Sequence, residues 1–251
     1  MKAIYSISLM VAMVALLTIM PVYASEMDDR IESSARDSYV FKTYLKGDDI
    51  KIESKDGAVT LTGVVSEESR LGLAKETVAG LPGVKSVDNR LEVKGASSTL
   101  NSDAWLGQKV KATLLFHRNV NAGKTEVAVK DGIVTLRGDA ASQAQKELTT
   151  EYAKDVEGVK DVNNEMTVSK ISETTMARVI GKIDDASITA QIKMTLLFRR
   201  STSALSTKVE TNDGMVTMYG KANNAAEKDL ITKLVNDVNG VKSVNNRMTI
   251  E

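Results

Sequence analysis

A threefold internal repeat constrains the fold of this 251-residue chain more than any other feature. The sequence KDGAVTLTG at 55–63 returns as KDGIVTLRG at 130–138 and as NDGMVTMYG at 212–220, at offsets of 75 and 82 residues. A repeat of this kind means that one structural unit has been copied along the chain. The chain is therefore read as three modules of about 70 residues each.

A second motif, Gly-Val-x-x-Val-x-Asn, follows the first at the same two offsets. It occupies 83–89, 158–164 and 240–246. The chain has three phenylalanines, and they obey the same offsets: Phe41, Phe116 and Phe198. We expect these three rings to be equivalent core anchors of their modules.

Each module reads as helix, hairpin, helix and strand. In the second module, Leu106, Val110 and Leu114 recur at helical spacing, and alternating apolar residues then flank Asp131-Gly132. Asp-Gly between alternating apolar residues is a strong hairpin signal, because both turn residues need positive φ. The order αββαβ predicts an α+β fold with two helices packed on one face of a three-stranded sheet. We expect Gly83, Gly158 and Gly240 to cap the second helices.

The amino-terminal residues have the features of an export signal. Lys2 precedes an apolar run over 7–20, and Ala24 stands before a polar junction. The run is shorter than the roughly 20 apolar residues of a spanning helix, which favours cleavage after Ala24 over a retained anchor. We therefore expect a periplasmic protein with no transmembrane span in the mature chain.

These patterns give the following division of the chain. The signal peptide covers 1–24, and the three modules cover 25–95, 101–170 and 184–251. The linker 171–183 contains Met176, Val179, Ile180 and Ile183 at helical spacing. This spacing favours an early start of the first helix of module 3 or a short helix before it, which docks on a neighbouring module rather than on a membrane.

The composition disfavours most enzymatic chemistry. The chain has no Cys and one His, and its 33 basic residues balance 33 acidic ones. A zero net charge argues against nucleic acid as a partner, and the missing thiols exclude thiol nucleophiles and thiolate metal sites. His117 occupies a position that is basic in the other modules, so we expect it to be exposed rather than catalytic. We expect no enzyme, no cofactor and no metal site.

The two repeated motifs resemble those of the BON domain, and the resemblance covers nearly all of the mature chain. It implies a non-enzymatic envelope protein of the osmotic-stress type that binds phospholipid surfaces. An alternative is a soluble chaperone-like or scaffolding protein that works through protein–protein contacts. Three modules depart from the more common arrangement of two.

The candidate lipid-binding residues lie on the first helices of modules 2 and 3. Trp105 is the sole Trp, and its counterparts Arg30 and Ser187 are polar, which predicts a surface position. An indole beside cations suits an anionic lipid interface. The predicted set is Trp105, Lys109, Lys111, Arg118, Arg199 and Arg200. Two alternatives stay open: Trp105 packs against module 1 or the linker, and the paired arginines complement the dipole of their helix.

Overall fold

The computed structural model describes residues 20–95, 102–169, 182–202 and 207–251. Met176, Val179 and Ile180 of the predicted helical stripe lie outside the described residues, and so do residues 1–19 of the predicted signal peptide. Ile183 is described, and it is buried in the core of the third module.

Module 1 contains three helices and three strands. They are α1 (Met20–Asp37), α2 (Tyr39–Thr43), β1 (Asp49–Lys55), β2 (Ala58–Val65), α3 (Glu68–Ala79) and β3 (Ser86–Val93). β2 is the central strand and pairs antiparallel with β1 and parallel with β3. Helix α1 runs through the predicted cleavage point at Ala24.

Modules 2 and 3 repeat this plan with a broken third strand. Module 2 comprises α4 (Asp103–Phe116), a short 3-10 turn (Ala122–Lys124), β4 (Thr125–Lys130), β5 (Ile133–Ala140), α5 (Gln143–Lys154), β6 (Asp161–Asn164) and β7 (Thr167–Val168). Module 3 comprises α6 (Asp185–Leu197), β8 (Lys208–Asn212), β9 (Met215–Tyr219), β10 (Lys221–Ala222), α7 (Ala225–Asn236), β11 (Ser243–Asn246) and β12 (Thr249–Ile250). The predicted α+β architecture of three αββαβ modules is confirmed.

The hairpin turns have the predicted geometry. Asp56 and Gly57 take φ values of 53° and 80°, and the equivalent pairs in modules 2 and 3 do the same. The first helix holds this turn in place, since the Asp28 carboxylate accepts hydrogen bonds from the backbone N–H groups of Asp56 (2.7 Å) and Gly57 (3.0 Å). Asp103 and Asp185 make the equivalent bonds. Each module therefore ties its first helix to its own hairpin.

The prediction that Gly83, Gly158 and Gly240 cap the second helices is wrong, since the cap positions are Gly80, Asp155 and Asp237. Helix α3 ends at Ala79, and Gly83 lies four residues later at a φ of 89°. It belongs to the turn that leads into the third strand, where the N–H of Lys85 donates to the carbonyl of Gly57. The positive φ was anticipated, but the turn rather than the helix end requires it.

The asparagine that ends each copy of the Gly-Val-x-x-Val-x-Asn motif has a structural role. The amide of Asn89 donates to the Leu71 carbonyl at 3.0 Å, which ties the third strand to the second helix. Asn164 and Asn246 make the equivalent bonds to Lys146 and Lys228. These side chains therefore bond backbone groups within their own modules.

The three modules share part of their cores. Phe116 and Phe198 are buried, but they pack in the hydrophobic cluster of module 1, and Phe41 packs against that cluster from a half-buried position. The expectation that each ring anchors its own module is therefore corrected. All three rings converge on one cluster, because the ends of the first helices meet there.

Helix α3 of module 1 lies against helix α6 of module 3. A Cβ at Gly80 would lie 3.3 Å from the Cα of Ala186, and one at Gly72 would lie 3.0 Å from the Sδ of Met194. The two glycines thus let α3 and α6 approach closely. Module 1 is also held by hydrogen bonds, since the N–H of Tyr39 donates to Asp184 (2.7 Å) and that of Val40 to the hydroxyl of Ser187 (3.0 Å).

Candidate functional site

Trp105 packs against another module instead of projecting freely from the surface. It is half-buried on helix α4, and its ring lies edge-to-face on Phe198 with the centroids 5.9 Å apart. The expectation of a free surface position is therefore corrected. Phe198 of module 3 covers part of the indole, because the end of α6 meets α4 at this point.

Two lysines on α4 have opposite environments. Lys109 is buried, its Nζ donates to the Glu157 carbonyl at 2.5 Å, and burial lowers its pKa. Lys111 is exposed, and no ion pair of its side chain is found in the described part of the chain. Of the two, only Lys111 presents its charge to solvent.

Lys111 stands one helical turn before an exposed apolar residue, Leu115, whose exposed fraction is 38%. Beside them a groove of about 300 Å³ opens between modules 1 and 2. It is lined by Thr43, Tyr44, Glu67, Ser69, Arg70, Leu73, Lys111, Ala112, Leu115 and Phe116. The equivalent pair in module 3, Lys193 and Leu197, differs because Lys193 is held by Glu76 at 2.7 Å.

The predicted arginines lie in a contact between modules 2 and 3. The segment after α4 pairs with the segment after α7, and the segment after α6 pairs with that after α5. The N–H of Asn239 donates to the Phe116 carbonyl (2.9 Å), and that of Glu157 donates to the Phe198 carbonyl (2.8 Å). The two halves are equivalent at the 82-residue offset, so the contact has pseudo-twofold symmetry.

Arg118 and Arg200 each satisfy the end of a helix in the other module. The guanidinium of Arg118 donates to the carbonyls of Asn236, Val238 and Val241 at 2.6–2.9 Å. Arg200 donates to the equivalent carbonyls after α5, those of Lys154, Val156 and Val159. Both cations complement a helix C-terminus, but it belongs to the neighbouring module rather than to their own helix.

Arg199 and His117 occupy equivalent positions inside the contact. Arg199 is buried and pairs with Asp155 at 2.8 Å, while its second nitrogen lies 2.9 Å from Nε2 of His117. Nδ1 of His117 lies 3.2 Å from Asp237, the counterpart of Asp155. The expectation of an exposed His117 is wrong, since the residue is 2% exposed.

Tyr152 completes this cluster. Its ring stacks on His117 with centroids 4.1 Å apart, and the guanidinium carbon of Arg199 lies 4.9 Å from the ring centroid. Its hydroxyl donates to Asp237, and burial raises its pKa. The groups are close-packed and mutually bonded, which is typical of a structural contact.

Sequence reasoning missed this cluster, although a signal for it was present. Modules 2 and 3 have Asp155 and Asp237 at the position where module 1 has Gly80, and they have His117-Arg118 and Arg199-Arg200 where module 1 has Lys42-Thr43. Charges that appear together in two of three repeats indicate a contact between those two.

The described residues contain neither a cluster of metal-ligating side chains nor a helix that could span a membrane. Nowhere among them do three or more His, Cys, Asp and Glu side chains gather closely enough to hold a metal ion. Within the same residues, no helix is both long enough and apolar enough to cross a bilayer.

Comparisons with known proteins agree with the repeat. The BON domain family model matches residues 27–95, 102–170 and 184–251. The osmotically-inducible protein Y of Escherichia coli is 32% identical over 197 residues, which are 78% of this chain and 95% of that protein. The outer membrane lipoprotein DolP of Haemophilus influenzae is 29% identical over 49% of this chain and 60% of its own length. Among solved structures, CdsD, a structural protein of the type III secretion system of Chlamydia trachomatis, is 16% identical and aligns over 88% of this chain with a TM-score of 0.25.

Proposed function

The chain belongs to the BON domain family, and on that premise we propose that it is a non-enzymatic periplasmic protein of the osmotic or envelope stress response. The observation that carries this proposal is the similarity to the osmotically-inducible protein Y, which extends over 95% of that protein. The likeness to an outer membrane lipoprotein supports a place in the cell envelope. The predicted signal peptide supports export.

The finer part of the proposal is peripheral binding to anionic phospholipid. Trp105, Lys111 and Leu115 are the residues of α4 that combine partial or full exposure with an aromatic, cationic or apolar side chain. Lys109, Arg118, Arg199 and Arg200 belonged to the predicted set, but their donors are engaged by protein groups. Lipid contact is therefore proposed for the solvent-exposed residues of α4 beside the groove between modules 1 and 2.

Vesicle sedimentation tests the lipid part of the proposal. The mature chain is mixed with phosphatidylglycerol or phosphatidylcholine vesicles, and the bound fraction is measured at two salt concentrations. We expect binding to the anionic vesicles only, and salt should weaken it. Equal binding to both vesicle types, or none to either, would contradict the lipid proposal.

A matched pair of variants locates the site. A cation near an anionic membrane contributes about 1 kcal/mol to binding. Lys111→Glu removes one cation and adds one anion, so it should weaken binding by roughly tenfold or more. Leu115→Asp should weaken it as well. Leu197→Asp, the equivalent change in module 3, should leave binding unchanged, because the neighbouring Lys193 is held by Glu76.

The same samples address the alternative function. If the chain suppresses aggregation of an unfolded client in lipid-free buffer and does not bind vesicles, the chaperone-like function replaces the lipid proposal.

A further inference from the structure

His117 is held in its neutral form by the geometry of the contact between modules 2 and 3. An arginine can only donate hydrogen bonds, and Arg199 lies 2.9 Å from Nε2 of His117. Nε2 must therefore be the acceptor, and the proton of the neutral ring is on Nδ1, which faces Asp237 at 3.2 Å. A second proton on the ring would occupy the lone pair that Arg199 uses.

The packing around the His117 ring prevents it from moving away from Arg199 and Asp237. The Tyr152 ring stacks on it from helix α5, and Val238 after α7 pairs with its backbone. Asp237 already accepts hydrogen bonds from Tyr152 and Asn119. The side chain is fully buried, so water cannot replace a lost partner.

The charged groups around the ring come from every element packed against it. Arg199 after α6 and Arg118, the next residue of the chain, are cations. Asp237 after α7 is an anion, and Asp155 after α5 is paired with Arg199 at 2.8 Å. Tyr152 is the remaining titratable group. Protonation of His117 would place a second positive charge beside Arg199. The counter-ion of Arg199, Asp155, bonds to the other terminal nitrogen of the guanidinium.

We propose that the contact between modules 2 and 3 is a proton-sensitive latch, which loosens when Nε2 of His117 takes up a proton from water and loses its hydrogen bond from Arg199. The other half of the contact pairs Arg199 with Asp155 and contains no imidazole. The latch concerns the contact itself and does not depend on lipid binding.

The direction of the pH dependence follows from burial. Burial lowers the pKa of His117 below its ordinary value of 6.5, and the charge of Arg199 lowers it further against the opposing effect of Asp237. The unfolded chain therefore binds a proton at a higher pH than the folded chain does. The contact is at full strength above about pH 6.5 and weakens as the pH falls from there toward the folded-state pKa.

The chain supplies its own reporters. His117 is the sole His, so the Cε1 proton in an NMR titration is unambiguous. Trp105 is the sole Trp, and its ring packs on Phe198, the residue before Arg199. Separation of modules 2 and 3 should expose the indole and shift its emission to the red.

The test compares the wild-type chain with His117→Gln between pH 7.5 and 5.0, in lipid-free buffer. The Gln side chain can accept the hydrogen bond from Arg199 but does not titrate. Since both proteins have the same carboxylates, the effect of carboxylate protonation on stability is common to both. For the wild type we expect a red shift and an extra loss of roughly 3–5 °C in Tm per unit of pKa difference. The variant should lack both.

Two results would overturn the latch. One is the same pH dependence of emission and Tm in the two proteins. The other is an NMR pKa of His117 in the folded wild type at or above 6.5, a measurement that stands even if the variant does not fold. A folded-state pKa below 6.5 with a coincident red shift supports the proposal.

Discussion

Module 1 and the pair formed by modules 2 and 3 use the same αββαβ unit but join their neighbours by different physics. Module 1 is attached through apolar contact, since α3 packs closely on α6 and the cluster of module 1 takes in Phe116 and Phe198. Two backbone N–H groups of module 1, those of Tyr39 and Val40, also donate to side chains of module 3. Modules 2 and 3 are joined through paired backbone segments, arginines and a buried ion pair.

One residue of module 1 removes a backbone hydrogen bond of the second kind of contact, in addition to the charges that module 1 lacks at Gly80 and Thr43. Pro82 stands at the position of Glu157 and Asn239, whose backbone N–H groups donate across the contact. Proline has no N–H to donate. Module 1 thus lacks both a backbone donor and the charged partners that join modules 2 and 3.

The largest expected effect comes from removing the ring that both kinds of contact share. Phe198→Ala empties a buried site in the cluster of module 1, and such changes cost about 3–5 kcal/mol. Urea unfolding should show this loss, and Trp105 emission should shift because the indole loses its neighbour. Phe41→Ala, a half-buried equivalent, should cost clearly less, and equal costs would contradict the idea of a shared core.

The next effect tests the charged contact alone. Arg199→Met leaves Asp155 without its buried partner, and breaking such a pair costs about 3 kcal/mol or more. Chemical unfolding measures the change. Arg137→Met, which removes an exposed pair with Glu165, should cost at most about 1 kcal/mol. A loss for Arg199→Met as small as this control would show that the 2–3 contact adds little stability.

An intermediate effect is expected at the hairpin of module 1, and it depends on pH. Hydrogen bonds from the Ser54 hydroxyl and the Gly57 N–H hold the pKa of Asp28 below its ordinary value of 3.8. Its contribution to stability is present above pH 3.8 and is lost as the pH falls through the lower folded-state value. Asp28→Asn should flatten the pH dependence of Tm in this acid range. The neighbouring exposed residue offers the control Asp29→Asn, which should not.

The smallest effect separates a simple helix cap from one that also joins modules. Ser102→Ala removes the cap of α4 and should cost about 1 kcal/mol. Asp184→Ala should cost more, because Asp184 caps α6 and also accepts a hydrogen bond from Tyr39 of module 1. Thermal unfolding distinguishes the two, and Glu67→Ala, at a helix start without a side-chain cap bond, should have little effect.

The repeat predicted the fold because its signals are local. The Asp-Gly turns, the helical spacing behind Ser102 and the alternating valines each act within a few residues, and the structure has them where expected. The contact between the Asp28 carboxylate and the hairpin turn was harder to predict, because it joins residues 28 apart in the sequence.

The candidate site was harder to predict because it depends on how modules meet. Polar counterparts suggested that Trp105 is exposed, but equivalent positions of a repeat do not share an environment once the copies pack asymmetrically. Arg199 and Arg200 were predicted to be surface cations for the same reason. Lys111 was placed correctly at the surface, where it has no partner among the described residues.

The shared cluster has a consequence for the order in which the chain can fold. The N–H groups of Tyr39 and Val40 find their acceptors 145 and 147 residues later, and the cluster of module 1 is complete only with Phe198. At synthesis rates of about 5–20 residues per second, roughly 8–30 s separate Phe41 from Phe198. The module that is made first therefore waits for a helix of module 3 before its own cluster is complete, and modules 2 and 3 complete theirs later still, with Leu234 and Met248.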